Sequence, residues 1–393
     1  MKKFFVAMLA VSMLAGCTAI KKQPNVHEKS AKEWNEARAK IYYGLAKQQY
    51  QSEEFDHSRQ TINQALTLEP KDVQCLLLSA QLWIENGQLE AAERQLNQVR
   101  EVDPKNAEAD YLSGIIYQRW QLPADALRFY TSANTNAPAE LAYLLARAEM
   151  LVTLDHQGEA LALLQSKAQY FEHSAALRDA IGQLLVDRGD YASAIEMFRQ
   201  ASILANDEDL SIRERLGLAM YYAKHYGDAS DVLSSLAAKE SYASRADILL
   251  ALGDCDLHIG KYHDALNSLQ AASRINADSP AIWLKTAQAA LELDDLRWAE
   301  LAVHKAIQLR PGSAQGQILL GYIRLKQNRL QDALRAFVAA NKLDPHDSLS
   351  VTMTGFVYEK SGMKKQAAEC YSRALQLQPG DDLTEQLMRK VRG

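Results

Sequence analysis

Glycine and proline are scarce in this 393-residue chain: 18 Gly and 9 Pro make about 7% of it, where average usage of the two sums to roughly 12%. That scarcity excludes collagen and argues against a many-turned sandwich or barrel. No long block of one charge sign is present either. The 44 basic and 49 acidic residues give a net charge of −5, so binding dominated by nucleic-acid phosphates is disfavoured. Four cysteines, at 17, 75, 255 and 370, form no CxxC pair of the metal or redox kind. Phosphate-binding GxxxxGK[ST], dinucleotide GxGxxG, nucleophile-elbow GxSxG and zinc HExxH patterns are all missing, which lowers the prior for an enzyme. What is abundant is alanine, 59 residues or 15%, alongside 48% apolar and 24% charged residues. This composition predicts a folded body of helices joined by short turns.

The first segment reads as an address. Lys2 and Lys3 precede an apolar run from Phe4 to Leu14 and then small residues before a cysteine, the three-part layout of a secretory signal. Eleven residues are too few to span a bilayer, which takes about twenty. Leu14-Ala15-Gly16-Cys17 resembles the lipobox of bacterial lipoproteins. The resemblance implies cleavage after residue 16 and acylation of Cys17. With Thr18 next, and no Asp of the kind that holds such proteins at the inner membrane, it implies an outer-membrane anchor facing the periplasm. Loss of residues 1–16 removes two lysines and leaves a charge of −7, so acyl chains rather than anionic lipid would hold the chain, each buried methylene adding about 0.8 kcal/mol. Residues 18 to about 29, with Lys21, Lys22 and Pro24, read as a polar tether.

A fixed period organises the rest. Prolines fall at 70, 104 and 138, and again at 311, 345 and 379, always 34 apart within each group. Placing them at position 32 of a 34-residue frame gives repeat starts at 39, 73, 107, 141, 175, 210, 246, 280, 314 and 348, with one extra residue before the sixth copy and two before the seventh. Position 20 is then alanine in nine of ten copies, position 8 is always Gly or Ala, and position 24 is always large and apolar. These residues resemble the tetratricopeptide repeat, a pair of antiparallel helices stacked on like pairs. The resemblance covers about 343 residues and implies an all-α, right-handed superhelical solenoid of about ten helix-turn-helix repeats. The expected organisation is a signal at 1–16, a lipidated N-terminus, tether and helix extension at 17–38, ten repeats at 39–381, and a capping helix at 382–393. Lys167, at a normally small position, and the missing prolines of copies six and seven make repeats four to seven the expected place for altered curvature.

In this family the first helix of each repeat lines the concave face through positions 5, 9 and 12. Nineteen of those thirty residues are apolar or aromatic here and only Lys47 is basic, unlike members that grip a C-terminal carboxylate with Lys and Arg. A groove for an apolar or amphipathic segment is expected, with Tyr43, Tyr50, Leu77, Tyr111 and Ile115 toward one end and Tyr221, Leu250, Leu284, Leu291, Ile318, Tyr322, Leu325 and Phe356 toward the other. The competing reading is that these side chains are buried by packing between repeats.

The chemistry-bearing clusters are weak. Cys255, His258 and His263 carry zinc-ligand types but are spread across a helix end, a turn and the next helix start, so no metal or other cofactor is expected. Asp344 to Ser348 holds hydrolase-triad residue types in one turn, where they cannot be arranged as nucleophile, base and orienting acid. Cys75, Cys255 and Cys370 lie several repeats apart and read as buried, unreactive thiols. The expectation is a non-enzymatic scaffold with an envelope protein as its client, no nucleic acid and no small-molecule substrate. The resemblance favours assembly of a pilus or secretion apparatus, with an adaptor for peptidoglycan hydrolases or polysaccharide export next, and a metal protein or enzyme last.

Overall fold

A computed structural model describes residues 26–392, and Cys17, the signal and most of the tether lie outside the described residues. The chain is all-α: 21 α-helices and one 3-10 turn, with no strand among the described residues. It divides into two compact units that meet in sequence at Ala160 and Leu161.

The first unit holds α1 (Val26–Gln51), α2 (Phe55–Leu68), α3 (Val73–Glu85), α4 (Leu89–Val102), α5 (Ala107–Arg119), α6 (Pro123–Asn136) and α7 (Leu141–Thr153). The unit boundary falls inside α8 (Gln157–Lys167). The second unit continues with α9 (Ala175–Asp187), α10 (Tyr191–Leu204), α11 (Leu210–Tyr222), α12 (Tyr226–Ala237), α13 (Ala246–His258) and α14 (Tyr262–Ile275). It closes with α15 (Pro280–Glu292), α16 (Leu296–Leu309), α17 (Ala314–Lys326), α18 (Leu330–Leu343), α19 (Ser348–Lys360), α20 (Lys364–Leu377) and α21 (Asp382–Arg392). Within each unit a helix packs on its neighbours in sequence, with weaker contacts two elements away, as between α3 and α5 or α15 and α17. This is the nearest-neighbour pattern of a repeat array.

The 34-residue interval has a local cause at each turn. The residue fifteenth in the frame adopts left-handed backbone between the paired helices: φ is +72° at Gly87, +59° at Gln121, +63° at Lys224 and +58° at Asn328. Only four of the ten such turns use glycine, which is one reason the chain needs so little of it. The first helices mostly start behind a side-chain cap: Asp72 accepts from the Cys75 amide at 2.8 Å, Asn106 from Ala109 at 2.9 Å and Asp347 from Ser350 at 2.8 Å, satisfying amides left free in the first turn. The prolines at 70, 104, 311 and 345 fall in the connections before these caps, outside any helix.

Departures from the frame have physical reasons. The extra residue ahead of α11 is absorbed by two consecutive left-handed residues, Asn206 and Asp207. The two before α13 go into the 3-10 turn Glu240–Tyr242, held by the Tyr242 hydroxyl donating to Glu214 at 2.8 Å. Helix α8 stops at Lys167 after 11 residues, whereas the matching positions of other second helices carry buried Ala65, Ala133, Ala272 or Ala340. A lysine cannot be enclosed there without leaving its charge unpaired. Helix α1 reaches back to Val26, so the last residues of the segment read as a tether are helical.

The core lies between the helices of each pair. Tyr130, Phe198, Phe337 and Tyr371 are buried at position 24, and each meets a glycine at position 8 of its partner helix. A Cβ added to Gly321 would lie 2.6 Å from Phe337 Cε1. Where position 8 is alanine, as at Ala46, Ala80 and Ala287, the large partner is the smaller Ile62, Leu96 or Val303. In these copies the two positions are matched in volume, whereas Gly217 and Gly253 face the leucines Leu233 and Leu269.

Candidate functional site

Side chains from the first helices of successive pairs converge on one face of each unit. In the first unit, Tyr43, Lys47 and Tyr50 of α1, Gln74, Leu77 and Gln81 of α3, and Glu108 of α5 line a cleft of about 370 Å³. Their spacing on α1, at i, i+4 and i+7, puts all three on one helical face. Glu108 accepts from Gln81 Nε2 at 2.9 Å. Burial pushes the Glu108 carboxyl up from its ordinary value, opposed by the positive charge of Lys47 and by the Gln81 hydrogen bond. The tyrosines beside it are shifted the same way by lost solvation, Tyr143 up to about 12, so they stay neutral hydrogen-bonding groups. Tyr111 continues the surface, with its ring centre 4.6 Å from Tyr143 and 5.6 Å from Tyr130.

The second unit has two features on the corresponding face. Val186, Leu218, Ala219 and Tyr222 form a smaller, mainly apolar pocket edged by Gln183 and Arg215, and Arg215 is held by Asp179 at 2.7 Å. Further along, Asp254 accepts from the Tyr221 hydroxyl at 2.8 Å. The Lys285 ammonium lies 2.6 Å from the other Asp254 oxygen, off the direction of an aligned hydrogen bond, so the contact is an ion pair. Burial, and then the bond to Asp254, raise the Tyr221 phenol. His258 lies 3.7 Å from Asp254 and stacks on Tyr226, ring centres 4.0 Å apart.

The expected groove residues are neither freely exposed nor, for the most part, core. Leu77 and Leu291 are buried, at 6% and 9% exposure; the other eleven are half-buried. Ile318, Tyr322, Leu325 and Phe356 come together in one cluster over Phe337, Met353 and Val357, and Leu284 meets Tyr322 in the adjoining one. Leu250 packs separately around Leu249, Leu257 and Leu269. Tyr43, Tyr50, Leu77, Tyr111 and Ile115 belong to the first unit, the remainder to the second. Groove and packing are thus combined in the same side chains.

Reading positions 5, 9 and 12 alone passes over Glu108, at position 2, and Lys285, at position 6. Their signal is a charged residue on the same helical face one turn away.

Among the described residues no group of three His, Cys, Asp or Glu is placed to hold a metal. Cys255 is buried and its thiol is pushed up to about 12 by burial and by Asp254 and Asp256, the reverse of what a thiolate ligand needs. Cys75 is pushed up to about 12 for the same reason, and Cys370 is raised, lying half-buried beside Val351 and Tyr358. All three are free thiols. No described helix is long and apolar enough to cross a membrane.

Models of the tetratricopeptide repeat match residues 50–114 and, in overlapping copies, 250–314, 284–348 and 318–382. A TPR repeat-containing protein of Methanocaldococcus jannaschii is 21% identical over 402 residues, covering 86% of this chain and 69% of that protein. A DnaJ homolog subfamily C member 7 homolog of Schizosaccharomyces pombe is 24% identical over 245 residues, 53% of this chain and 50% of that one. Among solved structures, the APC/C hetero-tetramer Cut9-Hcn1 aligns over 94% of both chains with a TM-score of 0.48 at 12% identity, and MamA over 41% of this chain with a TM-score of 0.38 at 20% identity.

Proposed function

We propose, for a chain that carries tetratricopeptide repeats, that residues 39–381 form ten of them and serve as a non-catalytic scaffold that holds another protein at the cell envelope. The supporting observation is the half-buried cluster of Ile318, Tyr322, Leu325 and Phe356 with Leu284 beside it. Such residues are anchored firmly enough to be rigid and still present apolar surface, the combination found at the centres of protein interfaces. The lipobox-like Leu14-Ala15-Gly16-Cys17 supports a lipid anchor on Cys17 and a periplasm-facing position at the outer membrane. Assembly of a pilus or secretion apparatus is the client role that the family resemblance favours.

In-cell crosslinking followed by purification tests this reading. Pilus or secretion components are expected in the product, and recovery of cell-wall hydrolases or export proteins instead would reassign the client. Tyr322 packs edge-on to the buried Phe337, with ring centres 5.6 Å apart, so the informative substitutions are Leu325→Ser with Phe356→Ser. Helicity by circular dichroism is expected to persist while client recovery drops; full recovery from the folded double variant would sink the groove assignment. Labelling with a palmitate analogue, lost in Cys17→Ala, tests the anchor.

A further inference from the structure

The space where two successive second helices meet over the first helix between them is filled differently along the chain. Where α4, α5 and α6 meet, the ring of Phe129 lies 4.9 Å from that of Tyr117 between centres, and the Arg100 guanidinium stands 5.3 Å over it. Ring, phenol and cation close the junction. Where α18, α19 and α20 meet, the same three frame positions, 23, 11 and 28, are Cys370, Tyr358 and Asn341, and they line a cavity of about 360 Å³. A thiol stands where the earlier copy has a ring. Val338, Val351 and Thr354 form the walls, with the Thr354 hydroxyl already donating to the Ser350 carbonyl at 2.8 Å. The Asn341 Nδ2 is buried with no hydrogen-bond partner, a donor whose unmet bond costs free energy until an acceptor arrives.

We infer that this cavity takes an aromatic side chain of a partner protein, from a segment with acidic residues on both sides of the ring. The incoming ring occupies the place that Phe129 holds between the earlier copies, against Tyr358. The Asn341 amide donates to a carbonyl of the segment. The charge of the segment follows from the rim, where Lys342 of α18 and Arg373 of α20 are both exposed. Salt bridges at this end join Arg335 to Asp332, Arg389 to Glu385 and Lys390 to Glu359, so neither rim cation is ion-paired among the described residues. Glu369 is the one carboxylate lining the cavity, which leaves the rim net positive. Because the two cations come from different helices, a chain with a carboxylate on each side of its ring meets both, whereas a free aromatic acid brings one carboxylate for the two. None of these residues is at position 5, 9 or 12, so the site is distinct from the proposed groove and stands or falls apart from it.

The probe is a synthetic peptide, acetylated and amidated, of sequence Gly-Glu-Phe-Glu-Gly with 4-fluorophenylalanine at its centre, titrated into the full chain and followed by fluorine NMR. A saturable shift or broadening of the fluorine signal is expected. Cys370→Phe supplies the ring from within, and it is expected to weaken binding by about tenfold or more, the effect of about 1.4 kcal/mol, with helicity retained and a thermal midpoint no lower than the parent's. A second variant, Lys342→Glu with Arg373→Glu at exposed positions, keeps the test independent of how well that ring is accommodated. It is expected to lose the acidic peptide and to take the corresponding Gly-Lys-Phe-Lys-Gly peptide, which the parent chain refuses. No saturable change with the acidic peptide, equal binding of both peptides by the parent, or undiminished binding by folded Cys370→Phe or by the folded double variant would each overturn the proposal. Equal affinity for N-acetyl-4-fluorophenylalanine, a ring and one carboxylate without a chain, would overturn the assignment to a protein segment.

Discussion

Gly321 and Phe337 show how single residues carry this architecture. Helix backbones in a pair approach closely only where position 8 lacks a side chain large enough to meet position 24. Gly321→Ala is expected to destabilise the protein by about 1–3 kcal/mol, because Phe337 must leave its rotamer to admit the methyl. Combining it with Phe337→Leu should recover part of that loss relative to the sum of the single changes, since alanine paired with a smaller aliphatic residue already occurs at Ala80 and Leu96. A double-mutant cycle from urea denaturation measures the coupling, and strict additivity would disprove the pairing. Glu108 supplies a test of electrostatics at the same scale. Its folded-state pKa is raised, chiefly by burial, so the folded chain favours the neutral acid, and stability is lost as pH rises from the unfolded value through the folded one. Glu108→Gln is therefore expected to be at least as stable as the parent at pH 7, with the difference vanishing below the ordinary carboxylate range; urea midpoints at both pH values decide it. The small and large residues at positions 8 and 20 and at position 24 were legible as a periodic pattern. That Phe337 or Tyr371 meets a glycine while Leu96 meets Ala80 was not, because the pattern alone does not say which large residue faces which small one.

At the scale of elements, α21 differs from every helix before it. Met388, Leu387 and Val391 pack on Tyr371 and Tyr358, Thr384 hydrogen-bonds Thr352 at 2.8 Å, and Lys390 pairs with Glu359 at 2.7 Å. Its acidic first turn and basic last turn also suit the helix dipole. Ending the chain at Asp381 is expected to accelerate amide exchange in α19 and α20 while leaving α13 and α14 unchanged, since stability in such arrays depends on nearest neighbours. Uniform acceleration along the second unit would show longer-range cooperativity. Proline spacing and the small-residue positions made the helix pairs readable in advance. The reach of α1 back to Val26 was hidden, because the polar residues that follow Pro24 read as part of a tether and carry no apolar periodicity. The 3-10 turn at Glu240–Tyr242 was visible only as two surplus residues, since its geometry depends on a tertiary bond from Tyr242 to Glu214.

For the molecule as a whole, composition excluded more than it identified. Scarce glycine and proline, abundant alanine and a mixed surface charge were enough for the helical class. The candidate groove was legible as to which residues take part, through positions 5, 9 and 12, but their exposure was not. Burial at Leu77 and Leu291 involves residues of the next pair, Ala109 and Leu112 for the one and Ile323 for the other, which a single helix wheel does not contain. Glu108 and Lys285 escaped for a related reason, lying one turn from the positions that define the face.

The matching of positions 8 and 24 also bears on how the chain reaches this fold. Copies this similar invite a helix to dock on the wrong neighbour during synthesis, shifted by one period. If α18 were to close on α15, Phe337 would confront Ala287 in place of Gly321, and if α16 were to close on α17, Val303 would leave Gly321 facing a void. Both of these slipped assemblies are penalised by bulk or by emptiness, so at the boundary between the copies that hold Ala287 and Gly321 the two residues favour the native docking of each helix.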